Sequence, residues 1–228
     1  MSNGSQRIAV VIGAASGIGW ATAQALASQG DRVIVADRNA DGAQARAAEL
    51  GEPHTAATVD VTDEDLVQWL FEETGQVDVV VNCAGFSNVG LITDMPVDQF
   101  RDVIDVCLTG AFIVAKHAGR NLRPGGALVS ISSLNGRQPA AGMSAYCAAK
   151  AGLSMLTQVA ALELGPRGIR VNAVARLCPH AVDRACRRCS RRGRGVSGKH
   201  GTGPRWHTRG HRQRRAVPLL ARRVVADR

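Results

Sequence analysis

The chain of 228 residues is 45% hydrophobic and 21% charged, an ordinary balance for a globular protein and enough length for one sizeable α/β domain with a real core. No apolar run approaches the ~18 residues of a membrane-spanning helix, and the polar opening MSNGSQR lacks the apolar stretch of a secretion signal, so a cytoplasmic protein without a membrane partner is expected. The net charge of +9 divides into −5 over residues 1–175 (12 Lys+Arg, 17 Asp+Glu) and +14 over 176–228 (16 and 2), which implies a mildly acidic globular unit followed by something physically different.

RIAVVIG (7–13) reads as a buried strand that runs into Gly13-Ala-Ala-Ser16-Gly17-Ile18-Gly19 and then the helix WATAQALASQ, closed by Gly30. Strand, glycine loop and helix in this order let backbone N–H groups and a helix N-terminus approach a pyrophosphate. RVIVAD, the second strand, ends in Asp37, eighteen residues after Gly19. A carboxylate there can accept from both ribose hydroxyls of an adenosine and repels a 2′-phosphate, and Ser16 stands where a basic side chain could have met that phosphate. The pattern favours NAD over NADP, with Arg38 as the contrary sign. In the structural alternative Asp37 only starts the turn before the helix DGAQARAAEL.

HTAATVDV is a third strand with Asp60 near its end, followed by the helix TDEDLVQWLFEET, for which Thr62 is the N-cap candidate. VDVVVN is a fourth strand leading into Asn82-Cys83-Ala84-Gly85. The stretch VDQFRDVIDVCLTGAFIVAKHAGRNL carries apolar residues at helical spacing and reads as one long, largely buried helix. GALVSIS is a fifth strand, AGMSAYCAAKAGLSMLTQVAALEL a second long helix, and GIRVNAVA a sixth strand. Such alternation predicts a parallel, doubly wound sheet with helices on both faces and ligands at the carboxyl ends of its strands. Asp37, Asp60, Gly85 and Ser133 all fall at such ends. The six cysteines show no disulfide framework and read as thiols.

Tyr146 and Lys150 lie four residues apart, so on a helix they share a face and the ammonium can lie beside the phenol. A free phenol titrates near ~10 and is a poor acid or base at neutral pH unless adjacent positive charge favours the phenolate. Ser133, just after GALVSIS, could hold a substrate oxygen against the Tyr146 hydroxyl. A Tyr-x-x-x-Lys spacing alone is common on helices, and its context decides its meaning.

Several motifs in order supply that context: the glycine loop at 13–19, Asp60-Val61, Asn82-x-Ala84-Gly85, Ser133 thirteen residues before Tyr146-x-x-x-Lys150, and Arg170-Val-Asn172. In these, residues 7–175 resemble the short-chain dehydrogenase/reductase family, whose members move hydride between a nicotinamide cofactor and an alcohol or carbonyl. The resemblance implies a Rossmann-type fold, a small alcohol or ketone substrate and a homo-oligomer. It implies Tyr146 as acid/base, Lys150 lowering the Tyr146 pKa and binding the nicotinamide ribose, and Ser133 orienting the substrate carbonyl. Gly13, Ser16, Gly17, Ile18 and Gly19 would face the pyrophosphate, Asp37 the adenosine ribose, and Asp60 and Val61 the adenine. Asn82, Ala84 and Gly85 would form the strand edge beside the cofactor; no metal is implied. Three positions depart from the family pattern. Ile12 replaces a threonine before the loop, Cys83 replaces an asparagine, and Cys107 stands where the family places the asparagine that holds a proton-relay water. A thiol is a weak donor and acceptor for that task. It is equally open to act as a small buried filler that leaves turnover reduced rather than absent.

The segment 176–228 holds fifteen arginines and one lysine and almost no apolar periodicity, so it is expected to be disordered. Three readings of it compete. It could be a basic arm for nucleic acid or another polyanion. It could be a zinc site from Cys186-x-x-Cys189 and His207-x-x-x-His211, although the interval between the pairs is long and patternless. Or it could be read out of frame. Joining the last two bases of each codon to the first of the next lets Ala175 to Ala181 read Pro-Gly-Tyr-Val-Arg-Thr-Pro, with Cys178 limited to Val or Ala and His180 to Thr or Met. The same shift forces Trp206 to glycine and lets the stretch from Arg205 read Gly-Gly-Thr-Pro-Glu-Asp-Ile-Ala-Asn-Ala-Val-Leu-Phe-Leu. The two restored stretches look like the family's own continuation, so a missing base near the codon for Arg176 is the favoured reading and nucleic acid is not an expected partner. On that reading the seventh strand, the segment covering the substrate and part of the oligomer surface are lost.

Overall fold

A computed structural model of the chain describes residues 6–176. Six strands, β1 (Ile8–Ile12), β2 (Arg32–Asp37), β3 (Thr55–Thr58), β4 (Val77–Asn82), β5 (Leu122–Ser133) and β6 (Arg170–Arg176), form one sheet in the order β3-β2-β1-β4-β5-β6. Every pairing is parallel. The helices are α1 (Gly17–Ala27), α2 (Ala40–Leu50), α3 (Glu64–Thr74), α4 (Val97–Ile104), α5 (Gly110–Asn121) and α6 (Ser144–Leu164). This is the doubly wound Rossmann-like α/β architecture that the alternation of strands and helices predicts. The chain winds outward from β1 to β3 and then returns to place β4 on the other side of β1. The loops after β1 and β4 therefore part from each other at the carboxyl edge, where such sheets take ligands.

The strands are apolar on both sides because both faces of the sheet are covered. Along β1, Val10 and Ile12 enter one core with Ile34, Val80, Leu70, Phe71 and Val114, which α3 and α5 close. Ala9 and Val11 point the other way, toward Val33, Val35, Ala23, Leu26, Ala43 and Ala47 under α1 and α2. The period of two along each strand is what divides one apolar run between two cores. Among the described residues no helix is long and apolar enough to cross a membrane.

Three local expectations are corrected. The single long helix over 97–122 is broken: α4 ends at Ile104, Asp105–Thr109 form a π-turn, and α5 begins at Gly110. A π-turn inserts one residue into the helical ladder while leaving the apolar face nearly continuous, so periodicity did not reveal it. Thr62 is not the N-cap of α3. Asp63 is, its carboxylate accepting from the backbone N–H groups of Asp65 and Leu66, because Thr62 is drawn back to Asp60. Finally, β5 starts at Leu122, its register with β4 shifting between Val77 and Val79 where Arg123–Gly126 intervene. β6 runs to Arg176, one residue past the expected boundary at 175, and residues 177–228, with Cys186, Cys189, His207 and His211, lie outside the described residues.

Candidate active site

Between the loops after β1 and β4 lies a cleft of about 450 Å³, lined by Gly13, Ser16, Gly17, Ile18 and Gly19 on one side and by Asp37, Arg38, Asp60 and Val61 along its length. Cys83, Ala84, Gly85 and Phe86 line it from β4, with Val59, Ile12 and Val106 completing the wall. The glycine loop takes this shape by close backbone contact. A Cβ on Gly19 would stand 2.0 Å from the Gly13 carbonyl oxygen, so only glycine lets α1 start this near β1. The N–H groups of Gly13 and Ala14 both donate to the Ala36 carbonyl, at 2.8 and 3.1 Å, tying the loop to β2. Ser16 is the N-cap of α1 in extended conformation, and its side chain makes no capping bond.

Asp37 ends β2 with its carboxylate partly engaged. One oxygen accepts from Ala15 N–H at 2.9 Å and the other from Asn39 N–H at 3.0 Å. Each oxygen keeps a further lone pair for a ligand hydroxyl. Asp60 directs Oδ1 at both the backbone N–H (2.9 Å) and the hydroxyl (2.8 Å) of Thr62. The Thr62 N–H above all holds this carboxyl below the usual range. Asn82, buried at the end of β4, does not line the cleft; its Oδ1 accepts from Ala84 N–H at 3.1 Å and so shapes the strand edge from behind. Enclosure of the Cys83 thiol pushes it up to about 12, although the residue as a whole is only half-buried.

Ser133, Tyr146 and Lys150 are not among the residues lining this cleft; Ser133 borders a separate hollow with Ser132, Arg137 and Ser154. Ser133 is the last residue of β5, buried, its hydroxyl accepting from Asn135 N–H at 3.2 Å. Tyr146 and Lys150 share a face of α6, and the Lys150 Nζ stands 5.6 Å from the centre of the Tyr146 ring. Lys150 is 3% exposed and donates to the Ile131 carbonyl of β5 at 2.8 Å, which fixes α6 against the strand that carries Ser133. Burial lowers the Lys150 pKa from the ordinary lysine value. A Cβ built on Gly85 would lie 3.3 Å from Cys107 Sγ and 3.4 Å from Lys150 Nζ, so the thiol, the ammonium and the cleft wall meet at one point. The π-turn carries Cys107, whose thiol donates to the Phe86 carbonyl at 3.3 Å.

Every residue expected at the pyrophosphate, ribose and adenine positions lines the cleft. Tyr146 and Lys150, expected to touch cofactor as well, are not among its lining residues, although Lys150 Nζ approaches its wall at Gly85. Val59, Phe86 and Val106 were not foreseen. Phe86 follows Gly85 directly and Val59 precedes Asp60, so adjacency to motif residues was their only signal, whereas Val106 depends on the unforeseen π-turn.

The sequence profile of the short chain dehydrogenase family matches residues 7–190. A cis-4-hydroxycyclohexanecarboxylate dehydrogenase of Sinomonas cyclohexanicum is 41% identical over 180 residues, covering 75% of this chain and 72% of that protein. A D-threitol dehydrogenase of Mycolicibacterium smegmatis is 35% identical over 178 residues, covering 74% and 68%. Among solved structures, a dehydrogenase/reductase from Sinorhizobium meliloti 1021 superposes with a TM-score of 0.71 at 34% identity, covering 75% of this chain and 71% of that one. The glycine cradle, the two carboxylates along the cleft and the Tyr-Lys pair of α6 fit what these likenesses report: the chain belongs to the short-chain dehydrogenase family, oxidoreductases that work with nicotinamide cofactors.

Proposed function

We propose that the chain is an NAD-linked dehydrogenase that moves hydride between NAD(H) and a secondary alcohol or the matching ketone, with residues 1–175 as its catalytic unit. The observation that carries this reading is the position of Lys150, whose buried ammonium stands 5.6 Å from the centre of the Tyr146 ring and lies against the cleft-lining Gly85. An ammonium beside a phenol favours the phenolate and so fits a tyrosine for proton transfer near neutral pH. In this reading Tyr146 passes a proton to or from the substrate oxygen at its Oη, Ser133 holds that oxygen, and Lys150 supplies positive charge and a donor for a ribose hydroxyl. Gly13, Ser16, Gly17, Ile18 and Gly19 hold the pyrophosphate, Asp37 the adenosine ribose, and Asp60 and Val61 the adenine, with Asn82, Ala84 and Gly85 shaping the edge. The nicotinamide, when bound, takes up or releases the hydride.

The choice of NAD rests on Asp37, which retains acceptor capacity on both oxygens and whose charge opposes a 2′-phosphate. Arg38 also lines the cleft, which makes NADP the lesser candidate. The names of the two dehydrogenase relatives, a hydroxycyclohexanecarboxylate and a threitol enzyme, support a secondary alcohol as substrate. A second reading, an NAD-binding protein of impaired turnover, is favoured by one contact: the Cys107 thiol is committed to the Phe86 carbonyl. The deciding experiment is Tyr146→Phe in the full chain. Turnover of a secondary-alcohol panel is expected to fall by at least about a hundredfold, the usual scale for a lost acid/base group, while calorimetric NAD binding stays unchanged. Equal turnover in the variant defeats the mechanism; NAD binding with no turnover in the unaltered chain establishes the second reading.

A further inference from the structure

The turn Ser16–Trp20 lines the cleft with Ser16, Gly17, Ile18 and Gly19, yet Ser16 gives it no side-chain cap. Its support comes from α2. Arg46 donates Nε–H to the Ala15 carbonyl at 3.3 Å, just before the turn, and lays its guanidinium over the indole of Trp20, the turn's last residue, 4.8 Å from the ring centre. One planar group therefore grips both ends of the same five-residue turn. Ala15 is constrained on its other sides as well. Its N–H donates to Asp37, and a Cβ on Gly42 of α2 would stand 2.9 Å from the Ala15 methyl, so glycine there lets the helix reach the loop. Arg46 does not line the cleft, and Glu49, 2.6 Å from its Nη1, balances its charge.

We propose that Arg46 is a positioning residue of the cofactor site, holding the loop 13–19 in its pyrophosphate-binding form by bridging Ala15 and Trp20. This deepens the NAD-binding reading above and rests on it. A guanidinium suits the task because its flat face stacks on an indole while its edge still donates in plane. Because Arg46 acts through the loop, its loss should be felt by ligands that carry a pyrophosphate and not by those that lack one.

The test is titration calorimetry of the full chain and of Arg46→Ala, Arg46→Met and Glu49→Gln with NAD, ADP-ribose and adenosine, the last by competition. Arg46→Met keeps the apolar stem over Trp20, so it remains informative where Arg46→Ala fails to fold. Both Arg46 variants are expected to weaken NAD and ADP-ribose by about five- to tenfold, the scale of one lost hydrogen bond and stack, and adenosine by less than about twofold. Glu49→Gln, which leaves the Ala15 and Trp20 contacts in place, should stay within about twofold for all three on the same scale. Unchanged NAD and ADP-ribose binding, or an equal loss for adenosine, overturns the proposal, the second because it marks a purely structural effect. Failure of the unaltered chain to bind NAD or ADP-ribose overturns the cofactor reading itself and this inference with it.

Discussion

Cys107 is the residue at which chemistry and fold pull in different directions. It is 1% exposed and packs with Val103, Ala145 and Ala149, with Tyr146 and Phe86 against the same cluster, so as a filler it is well placed. As a proton-relay group it is poor, since its one donor goes to Phe86 and a thiol accepts weakly. Cys107→Asn should therefore raise kcat, by about tenfold within the range of a single acid/base contribution, at a modest loss of stability from a larger polar group in an apolar cluster. Steady-state rates alongside thermal midpoints check both halves. A fall in midpoint without any change in kcat would assign Cys107 to packing alone. The shared helical face of Tyr146 and Lys150 was legible because a four-residue spacing fixes it. The commitment of the Cys107 thiol was not, because its partner lies twenty-one residues away and is a backbone carbonyl.

Between elements, the contact most open to test is the docking of α3 on α5. Glu64, in the first turn of α3, accepts from Lys116 Nζ at 2.6 Å and shares a 3.1 Å contact with the buried His117 ring, both on α5. The bond from Lys116 first, and that from His117 second, hold the Glu64 carboxyl below its usual range. Asp60, lowered chiefly by the Thr62 N–H, lies just ahead of the same helix. A carboxylate with a depressed folded-state pKa contributes stability above its unfolded value and loses it as pH falls through the folded value. The thermal midpoint should accordingly decline below about pH 4, the ordinary glutamate range. Glu64→Gln keeps the shape and removes the titration, so its midpoint should be lower at pH 7 and fall less steeply into acid. Parallel midpoint-against-pH curves would show that Glu64 takes no part in acid unfolding. The sequence shows α3 and α5 as apolar stripes, but which polar groups meet across them is set by the crossing of two helices, fifty-two residues apart at this contact.

At the scale of the whole chain, the contrast between −5 over residues 1–175 and +14 over 176–228 separates two kinds of protein chemistry. The out-of-frame reading of the second part predicts that nucleotide sequencing across codons 170–228 finds one additional base, restoring Pro-Gly after Ala175. The rival polyanion-arm reading predicts retention on nucleic acid that weakens steeply with salt and disappears when 176–228 are deleted. Confirmation of the present frame together with such retention would defeat the first reading. The same result bears on catalysis, because closing a site against water takes chain that covers the substrate.

What the sequence determined by itself is everything with a short-range signature. Short continuous apolar runs marked the strands, helical spacing marked the helices between them, and the order of strand, loop and helix placed the glycine loop and Asp37 at the carboxyl edge of the sheet. The tertiary structure alone decided the π-turn that carries Val106 to the cleft and Cys107 behind Gly85, the choice of Asp63 over Thr62 as cap, and the grip of Arg46 on the glycine loop. The physical reason is common to all three. Each is settled by competition among hydrogen-bond and packing partners, and which partner wins depends on how α2, α4 and the loop after β3 are laid against the sheet, a relation that local periodicity does not contain.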